Sequence, residues 1–498
     1  MPVEQWGVFE LVLKGPSSGN PYADVRFSAQ FFQERGSTEV LGFYDGHGLY
    51  RVRFMPPKPG VWHYTTVSSA VDLEARSGDF TVGKPLPTNH GPVRIAHTFH
   101  FAYADGKPYE PIGTTCAACA HQGDAAAAKT LKSLAASPFN KVRLTVFPAR
   151  DDLGHGGPSS TPFEGAPGHL DTQRLNPKFF QKLERQISNL GKLGIEADVI
   201  LHPDDQGRSG VDRVTPVDDD NRYVDYVVAR LSAFRNVWWS LANDGAVDRL
   251  GKLVSADDVY HHLLSIHGQP IANQNRPWTT HLCVPSASSS EDVGRAAQAR
   301  AAYHKPIVLD EVEDARKPSA ACGSPCDEET VSRFWEATVA GAYADYGENH
   351  SGTDGSSWWS KAGVLKGKGP ARLAFLRRAL EQGPAEGIEP IGDARQHPQC
   401  GGQPARYTLV YFGKDAPTSW AFQLASPPPG EASPYPLADG MKLSAEVLDT
   451  WNMTITPVDG PFTLKKGNGS SFVDKDHRSI ALPGRPYMAV RIKSLPPQ

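Results

Sequence analysis

The chain has 498 residues, 39% of them hydrophobic and 21% charged, with 10 Trp and a formal net charge of -4; that length exceeds one ordinary hydrophobic core and calls for two or three domains. A near-neutral balance with no Lys/Arg run gives a nucleic acid or an anionic membrane surface nothing to hold, so neutral substrates are expected. No apolar run reaches membrane-spanning length, and the opening MPVEQWGVFEL lacks the basic segment, apolar stretch and cleavage site of a secretory signal, so the expected compartment is the cytoplasm.

Residues 1–85 hold short alternating stretches such as DVRFSAQF and GLYRVRFMP, separated by turns at Asp45-Gly46 and Pro59-Gly60. That pattern predicts an antiparallel β-sandwich of immunoglobulin-like type. The Pro- and Gly-rich segment GKPLPTNHGPVRI, 83–95, reads as a linker. Over 96–385 short apolar strands alternate with amphipathic helices, the order that joins parallel strands by right-handed crossovers. One helix is explicit: Asn176 caps it, Pro177 takes its first position, and Phe180, Leu183, Ile187 and Leu190 recur on one face. Eight strand candidates follow one another: YEPIGTT near 109, NKVRLTVF at 140, IEADVILH at 195, NVWWSLAN at 236, LLSIHG near 263, PWTTHLCV at 277, PIVLDE at 306 and GAYADYGE at 341. Eight such units predict a (β/α)8 TIM barrel, with a doubly wound open sheet as the competing arrangement. From 400 to 498, YTLVYFG, AEVLDTWNMTITPV and YMAVRIKS predict a closing antiparallel β-domain.

Barrel active sites lie where the strands end, so the residues there are the candidates. Strand two carries Arg143, strand three ends His202-Pro203-Asp204, strand four ends Asn243-Asp244, strand five holds His267, strand six ends His281, strand seven ends Asp310-Glu311 and strand eight ends Gly347-Glu348. Carboxylates ending strands four and seven, across the mouth from each other, suit glycosidic chemistry, in which one protonates the leaving oxygen while the other attacks the anomeric carbon. Strict alternation in PIVLDE points Ile307, Leu309 and Glu311 into the barrel and Asp310 outward, which makes Glu311 the nucleophile candidate and Glu313 its rival. Arg143, His202, Asp204, Asn243, His281 and Glu348 are expected to bind substrate, and Trp358, in the loop sequence TDGSSWW, to stack on a sugar face. The bland alternatives are a helix cap for Asp244, a structural ion pair for Arg143, core histidines, and a core Trp358. Cys116-x-x-Cys119 and Cys322-x-x-x-Cys326 are the only close cysteine pairs, read as buried or incidental thiols in preference to a zinc or redox site. No metal and no cofactor is expected, since no His-x-x-x-His helix, Cys/His quartet, dinucleotide fingerprint or phosphate loop occurs.

NVWWSLAND, KPIVLDE, SPFNKVRL and PIGTT resemble the strand ends of the large clan of retaining glycoside hydrolases built on (β/α)8 barrels. The resemblance implies an acid/base after the Asn of strand four, here Asp244, and a nucleophile closing strand seven, here Glu311. With PGVWHY, WWSKAGVLKGKGPARLAFLRRAL and DTWNMTI, the whole chain is similar to cellulase-like glycosidases that carry an N-terminal β-sandwich and a C-terminal β-domain. Those relatives have Glu where this chain has Asp244; a related barrel family acting on the branched furanose apiose is similar in having Asp there. The resemblance therefore implies an exo-acting retaining hydrolase for a glycoside, with a compact furanoside such as apiose or arabinose as the expected sugar. A carbohydrate-binding barrel of weakened activity, a transglycosylase using the same residues, and a homo-oligomer stay open.

Overall fold

The computed structural model describes residues 3–147, 161–166, 169–202, 216–242, 245–285, 290–312, 327–347, 358, 363–392, 398–425, 436–468 and 471–495. The N-terminal part is a seven-stranded arrangement folded on itself, antiparallel except where Val3–Glu4 pairs in parallel with Ser77–Gly83. Its strand Gly36–Tyr44 pairs with Phe27–Gln33 through Gly36–Leu41 and with Leu49–Phe54 through Gly42–Tyr44, so one strand turns the corner between the two faces. Gly42 sits at that corner because a Cβ there would lie 2.2 Å from the Phe27 ring. Between the faces lie Phe27, Phe31, Val40, Val52, Phe54 and Trp62, all buried, with Phe31 stacked on Phe54 at 4.2 Å.

The segment read as a linker ends in structure. Val93–Ala96, His100–Tyr103 and Pro108–Tyr109 form a three-stranded sheet. From it Phe101 reaches Trp238 (5.2 Å) and Tyr343 (5.1 Å), plugging the amino end of the barrel together with Val93 and Tyr109.

The eight barrel strands are β1 (Ile112–Thr115), β2 (Lys141–Thr145), β3 (Glu196–Ile200), β4 (Val237–Ala242), β5 (Leu264–His267), β6 (Leu282–Val284), β7 (Ile307–Val312) and β8 (Tyr343–Tyr346). They pair in parallel in the order β5-β4-β3-β2-β1-β8-β7-β6. The remaining seam is closed by Thr280, whose N–H donates to the Leu264 carbonyl and whose Oγ1 accepts from the Leu264 N–H, each at 2.8 Å. The helices α1 (Asp124–Ala135), α2 (Pro177–Lys192), α3 (Val217–Leu231), α4 (Val247–Asp257), α5 (Ser290–Tyr303), α6 (Asp327–Val339) and α7 (Gly369–Glu381) wrap the strands. In α2 the Asn176 side chain accepts from the Phe179 N–H, and Phe180, Leu183, Ile187 and Leu190 are buried, as the spacing predicts. Between β5 and β6 there is only a 3-10 turn, Ile271–Asn273. There the buried Gln274 amide takes a strand's place, accepting from Cys283 N–H (2.7 Å) and donating to the Cys283 carbonyl (2.5 Å), which satisfies backbone groups an edge would leave open.

Both β-domains are fused to the barrel by buried contacts. On the sandwich side, Arg53 and Arg230 share Glu184, Arg230 also meets Asp45 (2.8 Å), and the Phe43 ring lies 5.0 and 4.4 Å from the two guanidinium carbons. The C-terminal sheet, Glu389–Ser494, lays Tyr411 against Trp335 (5.7 Å) and on Ser332, while Tyr407 donates to the Ala379 carbonyl (2.7 Å).

Candidate active site

Alternation along the barrel strands decides which side chains enter the lumen. From β2 come Lys141 and Arg143, from β3 Asp198, from β7 Asp310 and from β8 Asp345, all at most 1% exposed. Lys141 Nζ lies 2.9 Å from Asp198 and 2.5 Å from Asp345. Arg143 Nη1 lies 3.2 Å from Asp310, and its Nε 3.5 Å from Asp198. Room for this layer is made at β1, where a Cβ on Gly113 would stand 1.8 Å from Asp345 Oδ1. Burial alone would push every one of these carboxyls up. It is overcome at Asp310 chiefly by Arg143, with Lys141, and at Asp198 by Lys141 and Arg143, so both are held below the usual carboxylate range. Asp345 goes the other way, up to about 6, because burial and the neighbouring Asp310 charge outweigh Lys141. The pairing keeps both cations charged in spite of burial.

Glu311 reaches this layer by an irregularity. In the β7–β8 ladder Leu309 pairs with Ala344 and Val312 with Tyr346, so Asp310 and Glu311 together oppose Asp345 and form a bulge. Glu311 has φ 51°, a conformation costly for a residue with a side chain and found where function demands it. The expected phase of PIVLDE is corrected accordingly: Ile307 and Leu309 pack outward with Val293, Val331 and Trp335, Val308 packs inward with Cys283 and Tyr343, and Asp310 points into the lumen. The bulge turns Glu311 to the rim, where it is half-buried and its charge is felt by Arg143.

The other candidates divide. Arg143 is in place as the cation of the site. His202 stands just beyond β3, its Nε2 donating to Asp220 (2.8 Å) and its ring against Phe147 and Tyr223. Among the described residues its buried Nδ1 has no hydrogen-bond partner. His281 is not at the mouth: β6 is only Leu282–Val284, so His281 precedes it, at the amino end, edge-on to Trp238 (5.3 Å) and Phe101 (5.9 Å), with burial lowering its pKa to about 4. Trp358 is no sugar platform; it is 2% exposed in the core, and its Nε1 donates to Thr114 Oγ1 (3.1 Å). Asn243, Asp244, Asp204, Glu348 and Glu313 lie outside the described residues, as do Cys322 and Cys326. Cys116 and Cys119 are joined in a disulfide where β1 gives way to the turn Ala117–His121, which corrects the reading of incidental thiols.

His267, on strand five, joins the site although the sequence pattern does not mark it as a binding residue. It follows the inward Ser265 by two, and its Nδ1 lies 2.6 Å from Arg143 Nη2 and 3.3 Å from Asp310 Oδ2. Lys141, Asp198, Asp310 and Asp345 were also missed, although the spacings Lys-x-Arg and Glu-x-Asp in the strands carry their inward phase.

A closed parallel barrel with buried, arginine-backed carboxylates at its strand ends is the architecture of barrel glycosidases, and the comparisons with known proteins agree. Residues 96–382 match the family model described as "Apiosidase-like, catalytic domain". Residues 2–69 and 397–493 match two domains of unknown function, DUF5060 and DUF5605. The chain is similar to the crystal structure of a candidate glycoside hydrolase from Bacteroides vulgatus ATCC 8482, at 34% identity over 99% of this chain and 100% of that one, with a TM-score of 0.91. A glycoside hydrolase family 5 structure from the same organism shares the fold at 13% identity, covering 82% of this chain and 94% of that one, TM-score 0.58. No curated protein matches. The protein is a glycoside hydrolase of TIM-barrel fold with β-domains at both ends. It belongs to the apiosidase-like family.

Proposed function

We propose that the protein is an exo-acting retaining glycosidase that releases a terminal compact sugar, a furanoside such as apiose or arabinose. Glu311 attacks the anomeric carbon while Asp244 protonates the leaving oxygen; water activated by Asp244 then hydrolyses the glycosyl-enzyme. Asn243 hydrogen-bonds the 2-hydroxyl, an interaction that strengthens as positive charge develops on the ring. The observation that carries this reading is Glu311 itself: a carboxylate set at the rim by a bulge, in a costly backbone conformation, within reach of the Arg143 charge. The shorter Asp244 favours a small ring, since it must still reach the leaving oxygen.

A panel of nitrophenyl furanosides and pyranosides tests the proposal, with the anomeric configuration of the first-formed product followed by proton NMR. Retention with a furanoside preferred is the expected result. Inversion removes the covalent mechanism, and a clear preference for a hexopyranoside removes the compact-sugar specificity.

A further inference from the structure

We propose that His267 is a substrate-contacting residue that donates its Nε2–H to a hydroxyl oxygen of the sugar at the cleavage position; this rests on the glycosidase reading above.

Three observations carry it. The first is the tautomer. A guanidinium has five N–H donors and no acceptor, so Nδ1 of His267, 2.6 Å from Arg143 Nη2, has to present its lone pair. Arg143 is fully buried and stays charged, so this donor is permanent. The neutral ring therefore carries its proton on Nε2, and the 3.3 Å approach of Nδ1 to Asp310 is a contact rather than a donated bond. The second is direction. Arg143 and Asp310 are closed off from solvent, whereas the His267 side chain keeps 18% of its surface open. The edge turned toward Arg143 is the buried one, which leaves the Nε2 edge to the mouth. The third is register. His267 pairs with Ala242, the last residue of β4 before Asn243-Asp244, and on its other side touches Asp310, the neighbour of Glu311. It therefore stands beside the strand end whose chain runs on to Asn243-Asp244, and against the neighbour of Glu311.

The donor is thus preset. A neutral histidine free in solution divides its proton between two nitrogens; here the guanidinium chooses the tautomer. A sugar hydroxyl meeting this edge is asked only to accept, which selects for one hydroxyl position and orientation on the ring.

The test uses the full-length Glu311→Gln protein, which binds without turnover, and the free sugars apiose, arabinose, xylose and glucose. Long-range proton–nitrogen NMR of His267 is expected to show Nδ1 unprotonated and Nε2 protonated at pH 7, with the Nε2–H resonance moving when a bound sugar is added. His267→Leu is expected to weaken that sugar roughly tenfold, the value of one hydrogen bond at the upper end of its range. His267→Gln is expected to restore most of the affinity, because its amide oxygen accepts from Arg143 while its amide nitrogen donates outward; a merely structural loss would not be mended this way. An Nδ1–H tautomer, equal affinity in wild type and His267→Leu, or no movement of the Nε2–H with any of the sugars overturns the assignment. Should Glu311→Gln turn substrate over at the wild-type rate, the nucleophile reading fails, and the tautomer and the affinity series still decide the case of His267.

Discussion

Glu311 and Glu196 are both acidic residues on inner strands of one barrel, yet the fold uses them oppositely. Glu311→Ala is expected to abolish turnover with an unchanged thermal melt, because the residue would form the covalent intermediate and stands at the rim, where truncation opens no core cavity. Asp244→Ala is expected to slow poor leaving groups by about 10²- to 10⁴-fold while sparing activated ones; equal losses on both, read by steady-state kinetics, return Asp244 to the role of a helix cap. Glu196 is 3% exposed, accepts from Trp238 Nε1 (3.1 Å), and is pushed by burial up to about 8. The unfolded chain gives up this proton near the ordinary glutamate value of 4.5, well before the folded protein does. The contribution of Glu196 to stability is therefore full below pH 4.5 and is lost progressively as pH rises through about 8. Glu196→Gln keeps the bond to Trp238 without the titration, so between pH 5 and pH 8.5 it should gain at least ~1 kcal/mol on the wild type in urea denaturation. Parallel stability curves for the two proteins would show that Glu196 does not titrate in this range.

At the scale of elements, β1 shows how tightly the strands are matched to their cargo. Gly113→Ala places a methyl group where the Asp345 carboxyl lies, and that carboxyl is held in the ion layer by Lys141. A loss of about 3 kcal/mol or more, or failure to accumulate as soluble protein, is expected; a wild-type melting temperature would mean that Asp345 can leave its place cheaply. The same strands show what sequence alone reveals. Apolar runs of strand length, all but that of β5 followed by a helix, locate all eight barrel strands, because each is buried on both faces and has to be apolar. They do not reveal the phase of β7. Period-two alternation presumes an unbroken ladder, and the bulge at Asp310-Glu311 leaves no mark in residue type. His281 fails for a related reason: PWTTHLCV reads as one long strand, whereas only Leu282–Val284 pairs with β7, and the polar residues before it run along the seam to β5. Trp358 sits among Gly, Ser and Asp, whose solubility says nothing about where the indole itself packs.

The whole molecule behaves as one body because its parts are joined by buried charge as well as by apolar surface. Arg53 belongs to the sandwich, Glu184 to α2 and Arg230 to α3, and each is nearly closed off from water. Arg53→Ala removes one cation from this group and leaves Glu184 half-compensated, at an expected loss of about 3 kcal/mol in chemical denaturation. The unfolding transition should remain single, and its midpoint should fall for probes in both domains together; a sandwich that melts separately while the barrel keeps its wild-type midpoint would show that the cluster does not couple them. Chain length and composition foretell the number of domains but not this coupling, which depends on residues far apart in sequence meeting across an interface.

The hairpin that floors the barrel also has a bearing on synthesis. A ribosome delivers the sandwich and the Phe101 hairpin before any barrel strand exists, and the partners of Phe101 arrive only with Trp238 and, almost at the end of the barrel, Tyr343. Domains tend to fold in the order in which they emerge. Here the nascent chain carries an aromatic plug through the whole translation of the barrel, and the last strands close around a floor that was laid first. Slowing elongation just after Tyr109 should therefore leave the sandwich folded and the plug exposed to chaperones, whereas a pause after Tyr346 finds it already covered.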